Sequence, residues 1–501
     1  MLFSSPVFLF CFLPSVLLLY FALGRRMRNP VLLLASLFFY AWGETILVLI
    51  MVLSILANFG FGLWIDKARQ TGRGRGAVAA AITFNLGLLV LFKYTNWIWE
   101  MVSRLAVTTG LSEAGLPPIG EVAGPILGGL GLIEGPLPAD WDIRLPIGIS
   151  FFTFQALSYV IDVYWRAAAV QRNPVHFGVY IALFPQLIAG PIIRYHDVAR
   201  QIVSRIVTLE GFAWGVRRFV LGLAKKMLVA NVVAKAADAI FEIPAGQLSA
   251  PVAWLGIVCY TLQIYFDFSG YSDMAIGLGR MLGFRFLENF NFPYIARSIT
   301  EFWRRWHISL STWFRDYLYI PLGGNRRGSG RTYFNLILVF FLCGLWHGAS
   351  WTFVAWGLYH GMFLVVERQG LLALLERRSA ILRHVYALLV VMVGWVFFRA
   401  DDFVYALHYL AAMAGLAGDA GGAYTVALYV DSVLAAAIVA GVIGSMPWLP
   451  RLRAWRDGRE REGRVSIGLE LAGLAALCAL FLLSAMELAA GTYNPFIYFR
   501  F

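Results

Sequence analysis

His347 and His307 are the residues whose surroundings most suggest chemistry. His347 stands in Phe340–Phe353 (FFLCGLWHGASWTF), an apolar run without a charged side chain. Gly344 precedes it by three residues, and Gly348 and Ala349 follow, so a neighbouring helix or a substrate can approach the ring closely. Ionisable residues at membrane depth are costly and by default point to function. The competing reading is a histidine that merely hydrogen-bonds another helix. His307 lies in Glu301–Pro321 (EFWRRWHISLSTWFRDYLYIP). Helical spacing places Trp303, His307, Ser311 and Phe314 on one face, with Arg304, Ile308 and Arg315 on the adjoining one. This density of aromatic and arginine side chains predicts a helix lying flat in the cytoplasmic interface. Arg304, Arg305 and Arg315 suit a phosphate-bearing donor such as a coenzyme, because guanidinium forks match phosphate geometry. Histidine itself is the usual acid–base group near neutral pH.

Other constellations are weaker. Tyr265–Gly270 (YFDFSG), with Tyr271 and Asp273, interrupts a second apolar run. Asp267 and Asp273 are six residues apart and do not share a helical face, which argues against a paired acid–base role. Ser311, Asp316, Trp346, Asp267 and Tyr271 join the three arginines as candidate substrate- or donor-binding positions. No metal is expected, since neither HExxH nor facial-triad spacing occurs, and no phosphate loop, dinucleotide fingerprint or GxSxG elbow stands out. The four cysteines, Cys11, Cys259, Cys343 and Cys478, read as small buried hydrophobes. His360 reads as structural, and His176, His196, His384 and His408 as ordinary polar positions near loop ends.

The elements that must position these residues are membrane helices. Of 501 residues, 60% are hydrophobic and 14% charged, with a mean hydropathy of +0.70; a soluble chain needs about a quarter of its residues charged. Apolar runs cover roughly 6–23, 30–65 (turning near Gly43 and Glu44), 77–99, 146–165, 211–233 and 252–278. Others lie at about 333–349, 351–367, 384–400, 425–446 and 466–489. Each is long enough to cross a bilayer as a helix and too long and unalternating for a barrel strand. The expectation is an all-α polytopic protein of about eleven spanning helices, with re-entrant or interfacial helices besides. The net charge of +12 does not imply a nucleic-acid partner, because the basic residues gather in short loops. Arg25, Arg26 and Arg28 form one such loop, Lys67 to Arg75 another, and Arg451 to Arg464 a third, which marks them as cytoplasmic and puts both termini outside. Residues 173–200 and 280–331 resist simple spanning, and irregular backbone at membrane depth survives only inside protein or around a water-filled cavity. No internal repeat of the transporter kind is visible.

Longer blocks carry a resemblance. Asn289–Gly324 (NFNFPYIARSITEFWRRWHISLSTWFRDYLYIPLGG) and Cys343–Gly361 (CGLWHGASWTFVAWGLYHG) closely resemble the bacterial alginate O-acetyltransferase branch of the membrane-bound O-acyltransferase family. Leu145–Arg166, Phe184–Arg194 and Asp267–Gly283 match as well, and Asn494–Phe501 (NPFIYFRF) is a family-like end. The resemblance implies one membrane domain over 1–501, with its catalytic core at about 140–370, in a bacterial inner membrane. It implies His347 and His307 as the catalytic histidines. It implies acetyl-CoA as a cytoplasmic donor substrate, with no cofactor held permanently. The acetyl group would pass to an extracytoplasmic SGNH-type acetyltransferase, working with polysaccharide export machinery on a secreted exopolysaccharide. A base that takes the proton of an accepting hydroxyl fits histidine's unperturbed pKa of about 6.5. A D-alanyl transferase of teichoic acids, fed by a carrier-protein thioester, is the rival within the family. A transporter or flippase of a lipid-linked sugar is the rival outside it.

Overall fold

The computed structural model describes residues 1–129, 137–138, 141–416, 423–461, 467–491 and 493–495, and their regular structure is entirely helical. Two ends of the bundle follow from where charge falls along the helices. The helix Arg28–Glu44 starts in the first arginine cluster and finishes at Glu44, where Thr45 (φ 38°) and one 3-10 turn, Thr45–Leu47, reverse the chain. Val48–Gln70 then runs back to Lys67 and Arg69, and Gly74–Lys93 returns to the Glu44 end. The turn expected near Gly43 and Glu44 is therefore present.

Among the described residues, six helical segments, counting Arg25–Gln70 as one, are long and apolar enough to cross a bilayer. Shorter apolar helices lie at Phe8–Ala22, Phe403–Met413 and Ser432–Gly444. The chain ends meet beside the Gly43 turn: Asn494 Nδ2 donates to the Ser4 carbonyl at 2.8 Å, and Met1 lies against Gly43.

At the centre, Ala250–Met281 is a 32-residue helix buried on nearly every side. It packs on Leu209–Ala224 through two glycine pairs, Gly215 with Gly277 and Gly222 with Gly270, where a Cβ on either partner would strike the other backbone. Small residues at such a crossing let helices approach where lipid gives no hydrophobic drive to associate.

The first irregular region behaves as expected. Pro174–Ala182 is helical, and residues 183–194 are an irregular, turn-rich segment, buried at every position but Arg194. Its backbone finds partners inside the protein: Phe184 N donates to Ser36 Oγ, and Ile192 N to Ser309 Oγ, both at 3.0 Å. Tyr180 Oη donates to the Ile193 carbonyl at 3.1 Å.

The second region differs from expectation. Glu301–Pro321 is not one flat interfacial helix but two short ones, Ile299–Arg305 and Ile308–Phe314, followed by a π-turn at Arg315–Tyr319. Trp303, Trp306, His307, Leu310, Trp313 and Phe314 are all buried. Aromatic rings from several helices enclose them, so burial against protein wins over the membrane surface that their composition suggested. The cysteines divide similarly: Cys259 and Cys343 are buried, whereas Cys11 and Cys478 are exposed on the outside of the bundle, contrary to the uniform burial expected.

Candidate active site

His347 is the last residue of the helix Ser329–His347, which ends because Gly348 turns to extended geometry (φ −163°, ψ 152°). Ser350 then opens the next helix, Trp351–Val366, its hydroxyl accepting from Thr352 N at 3.2 Å. The two helices touch backbone to backbone: a Cβ on Gly344 would collide with the Phe353 carbonyl, and one on Gly357 with the Phe340 carbonyl. The His347 ring is 5% exposed. It meets Trp356 at 5.0 Å and Phe398 at 5.1 Å, both edge to face, with Trp346 at 5.0 Å.

His307 occupies the break between the two short helices, at φ +44°. A non-glycine residue in the left-handed region costs on the order of 1–3 kcal/mol and persists only where its surroundings impose it. Asn289 imposes it. Its Oδ1 accepts from Ser309 N at 3.2 Å and from Ser309 Oγ at 2.9 Å, and lies 3.2 Å from His307 Nδ1. Its carbonyl accepts from Ile308 N at 2.9 Å, while its Nδ2 donates to Ser272 Oγ at 3.0 Å. An amide oxygen only accepts, so this network assigns the proton to His307 Nδ1 and leaves Nε2 as the acceptor nitrogen. His307 Nε2 is buried and meets no hydrogen-bond partner among the described residues. Trp346 stands between the histidines, 6.1 Å from the His307 ring.

A cavity of about 410 Å³ reaches His347 from the Glu44 end. Glu44, Arg144, Lys93, Ser150, Trp346 and His347 are among its lining residues. Glu44 is fixed by Ile147 N, which donates to its carboxylate at 3.2 Å. One wall of the cavity therefore collects the candidates His347 and Trp346, with His307 behind Trp346.

The remaining candidates lie elsewhere. Arg304 is exposed and has no ion-pair partner among the described residues. Arg305 pairs with Glu301 at 2.9 Å, and Arg315 with Asp316 at 2.7 Å. Asp316 also accepts from Arg194 at 2.5 Å. Ser311 Oγ reaches only the Trp306 carbonyl, at 3.5 Å. On the central helix, Asp267 pairs with Lys226 at 2.9 Å and Tyr271 stacks on Phe3 at 4.4 Å. Neither lines the cavity, although their neighbour Phe268 packs on His307 at 4.7 Å. Asp273 has separate partners, Arg218 and Lys225, at 2.6 and 2.7 Å. Among the described residues no three His, Cys, Asp or Glu side chains converge as metal ligands.

Three further polar groups at or near the site escaped the sequence reading. Lys93 is a single cation in the run LGLLVLFKYTNWIW, an intramembrane charge that itself signals function. Asn289 had no local signal, because its clamp exists only once distant segments meet. His196 was read as an ordinary polar position, yet its Nδ1 lies 2.9 Å from the buried carboxylate of Asp162. Burial of that carboxylate is invisible from composition. Tyr317 Oη donates to the same carboxylate at 2.8 Å. The hydrogen bond to Asp162 holds the His196 pKa above the usual value.

Residues 34–398 match the sequence model of the membrane-bound O-acyltransferase family. The chain belongs to that family. It is thus a membrane O-acyltransferase, in agreement with the blocks around His307 and His347. It is 41% identical to a probable alginate O-acetylase AlgI of Azotobacter vinelandii, over the whole of both chains. It is 36% identical to a peptidoglycan O-acetyltransferase of Helicobacter pylori, over 83% of this chain and 80% of that one. A teichoic acid D-alanyltransferase of Bacillus subtilis is 30% identical, over 44% of this acyltransferase and 58% of its own length. Membership excludes the transporter reading as the primary one.

Proposed function

We propose that this acyltransferase takes acetyl groups from cytoplasmic acetyl-CoA and passes them, through His347, toward an extracytoplasmic partner that acetylates a secreted, alginate-like polysaccharide. One observation carries the reading: His347 sits on a cavity that opens at the Glu44 end, opposite the basic loops. By the positive-inside rule those loops face the cytoplasm, so the cavity faces outward, in a bacterial inner membrane. His347 acts as general base on the accepting hydroxyl, which attacks the thioester carbonyl while the thiol departs. His307, whose acceptor nitrogen meets no hydrogen-bond partner among the described residues, serves from the other side of Trp346. Rings packed around both histidines exclude the water that would hydrolyse the thioester.

The donor comes from the arginine side. Arg304 is the cation best placed for a coenzyme phosphate, since Arg305 and Arg315 are already paired. The working core extends beyond 140–370, because Glu44, Lys93 and Phe398 all serve the His347 site. Full-length similarity to alginate O-acetylases favours acetyl over D-alanyl transfer. The similarity to a peptidoglycan O-acetyltransferase supports peptidoglycan as the second acceptor polymer.

The test is purified full-length protein with acetyl-CoA and a free monosaccharide as the hydroxyl acceptor. We expect CoA release that drops about 10²–10⁴-fold in His347→Ala, the usual loss with a general base, while the variant still inserts. Near-wild-type release would overturn the assignment. Acetate found on peptidoglycan and absent from exopolysaccharide would move the acceptor to the second reading.

A further inference from the structure

The Lys93 ammonium is fully engaged at the end of the His347 helix. Its Nζ donates to the Trp346 carbonyl at 2.5 Å, to the His347 carbonyl at 3.1 Å and to Ser150 Oγ at 3.1 Å. The next residue adds a strut: Tyr94 Oη donates to the Leu345 carbonyl at 2.6 Å. Three successive carbonyls at the helix C-terminus, Leu345, Trp346 and His347, are therefore held by two side chains of another segment. Helix C-terminal carbonyls lack intrahelical donors, and the partial negative charge there favours a cation. Lys93 is 9% exposed and pairs with no carboxylate among the described residues. A buried ammonium without a counter-charge is expensive. The stability of the helix end alone does not require one, since tyrosine or water satisfies carbonyls at lower cost.

We propose that Lys93 is the positioning residue for His347, a lock that fixes the orientation of the imidazole on the cavity wall. All three ammonium protons are spent on protein acceptors, which leaves none for substrate and separates this role from a catalytic one. Ser150 is the third anchor. It lies at the start of the helix Ile149–Trp165 and lines the same cavity. Lys93 thus joins the ends of three helices at the atoms that carry His347. The inference rests on His347 being the acyl-transfer residue.

The experiment uses purified full-length variants with acetyl-CoA and a free monosaccharide as hydroxyl acceptor, measuring kcat and KM for CoA release alongside the yield of folded protein. Misplacement of a reacting group by about 1 Å can cost about 10²-fold in rate. Lys93→Met is expected to lower kcat by roughly 10–100-fold with KM for acetyl-CoA within about twofold. Lys93→Cys should lose turnover similarly. Alkylation with 2-bromoethylamine, which rebuilds an ammonium at the lysine position, should restore part of it without changing the yield. Treated wild type controls for the native cysteines. Lys93→Met with wild-type kcat, beside an inactive His347→Gln, overturns the lock and spares the His347 reading. An active His347→Gln overturns that reading itself. If Lys93→Met fails to insert, Tyr94→Phe decides: a several-fold fall in kcat at unchanged KM supports the lock, and unchanged kcat overturns it.

Discussion

His196 shows how one side chain ties the basic end of the bundle to the pH around it. Its ring and its backbone N–H both meet Asp162 Oδ2, at 2.9 and 3.2 Å, while Asp197 lies 3.4 Å from Nε2. The hydrogen bond to Asp162, and then the charge of that carboxylate, raise the folded pKa above the unfolded value. The stabilisation is then complete below the unfolded pKa of about 6.5. It is lost as pH rises through the higher folded value. Thermal unfolding in detergent should therefore show a midpoint that falls between pH 6 and pH 8. His196→Gln should flatten that slope and cost more at the lower pH. An unchanged slope in the variant would assign the pH response to other groups. Half-exposure of the ring keeps the effect small. The adjoining Arg194–Asp316 and Arg194–Asp197 pairs, at 2.5 and 2.8 Å, continue the same network into the π-turn.

Among the elements, the hairpin of Ser329–His347 and Trp351–Val366 has the least room for change. Gly357 on the second helix faces the Phe340 carbonyl of the first, and Gly344 faces the Phe353 carbonyl. Both flexible neighbours and open space are missing there, since the colliding atoms are backbone. Gly357→Ala must push the helices apart, an overpacking that costs about 1–3 kcal/mol and shifts His347 from its ring contacts. We expect acetyl-CoA turnover to fall at least about tenfold while His347 itself is untouched; Gly370→Ala, in open space at a positive φ, should unsettle only its local turn. Wild-type turnover in Gly357→Ala would show that the hairpin tolerates the spread. The sequence made this hairpin legible because glycine and histidine punctuate an otherwise apolar run. The break at His307 was not legible. The period of Trp303, His307, Ser311 and Phe314 reads as one uninterrupted helix, and only Asn289, brought in from outside that run, explains why the chain turns there. Lys93 was legible in principle as a lone intramembrane charge, but its purpose depends on which helix end it meets.

For the whole molecule, the proposed function raises the question of how an acetyl group at membrane depth would reach a polymer outside. The long apolar helices, the buried re-entrant segment and the cavity at the Glu44 end give a path to His347 but no surface on which a polysaccharide could lie. Helices at Thr95–Thr108 and Ile119–Gly129 rim that end, and residues 130–136 of the same stretch lie outside the described residues. The C-terminal segment is rooted there too. Tyr493 Oη donates to Asp238 Oδ2 at 2.7 Å, and Lys226 Nζ donates to the Pro495 carbonyl. Tyr493 therefore serves the fold before any partner, and Phe496, Tyr498, Phe499 and Phe501 lie outside the described residues. A cavity of about 410 Å³ admits a hydroxyl-bearing side chain or a single sugar. A polymer strand with its own hydration exceeds that volume. The proposed relay fits this geometry: an extracytoplasmic protein would present a hydroxyl to the cavity, accept the acetyl group and carry it to the polymer. Purified chain with acetyl-CoA and polymer should leave the polymer unacetylated, and addition of the secreted acetyltransferase should restore transfer. Truncation after Pro495 should keep the root contacts, so CoA release with a free monosaccharide as acceptor should persist. Loss of co-purification with the secreted protein, together with loss of polymer acetate in cells, would place the docking surface in the last six residues. Unchanged values for both would move docking to the rim helices, and direct acetylation of polymer by the chain alone would refute the relay.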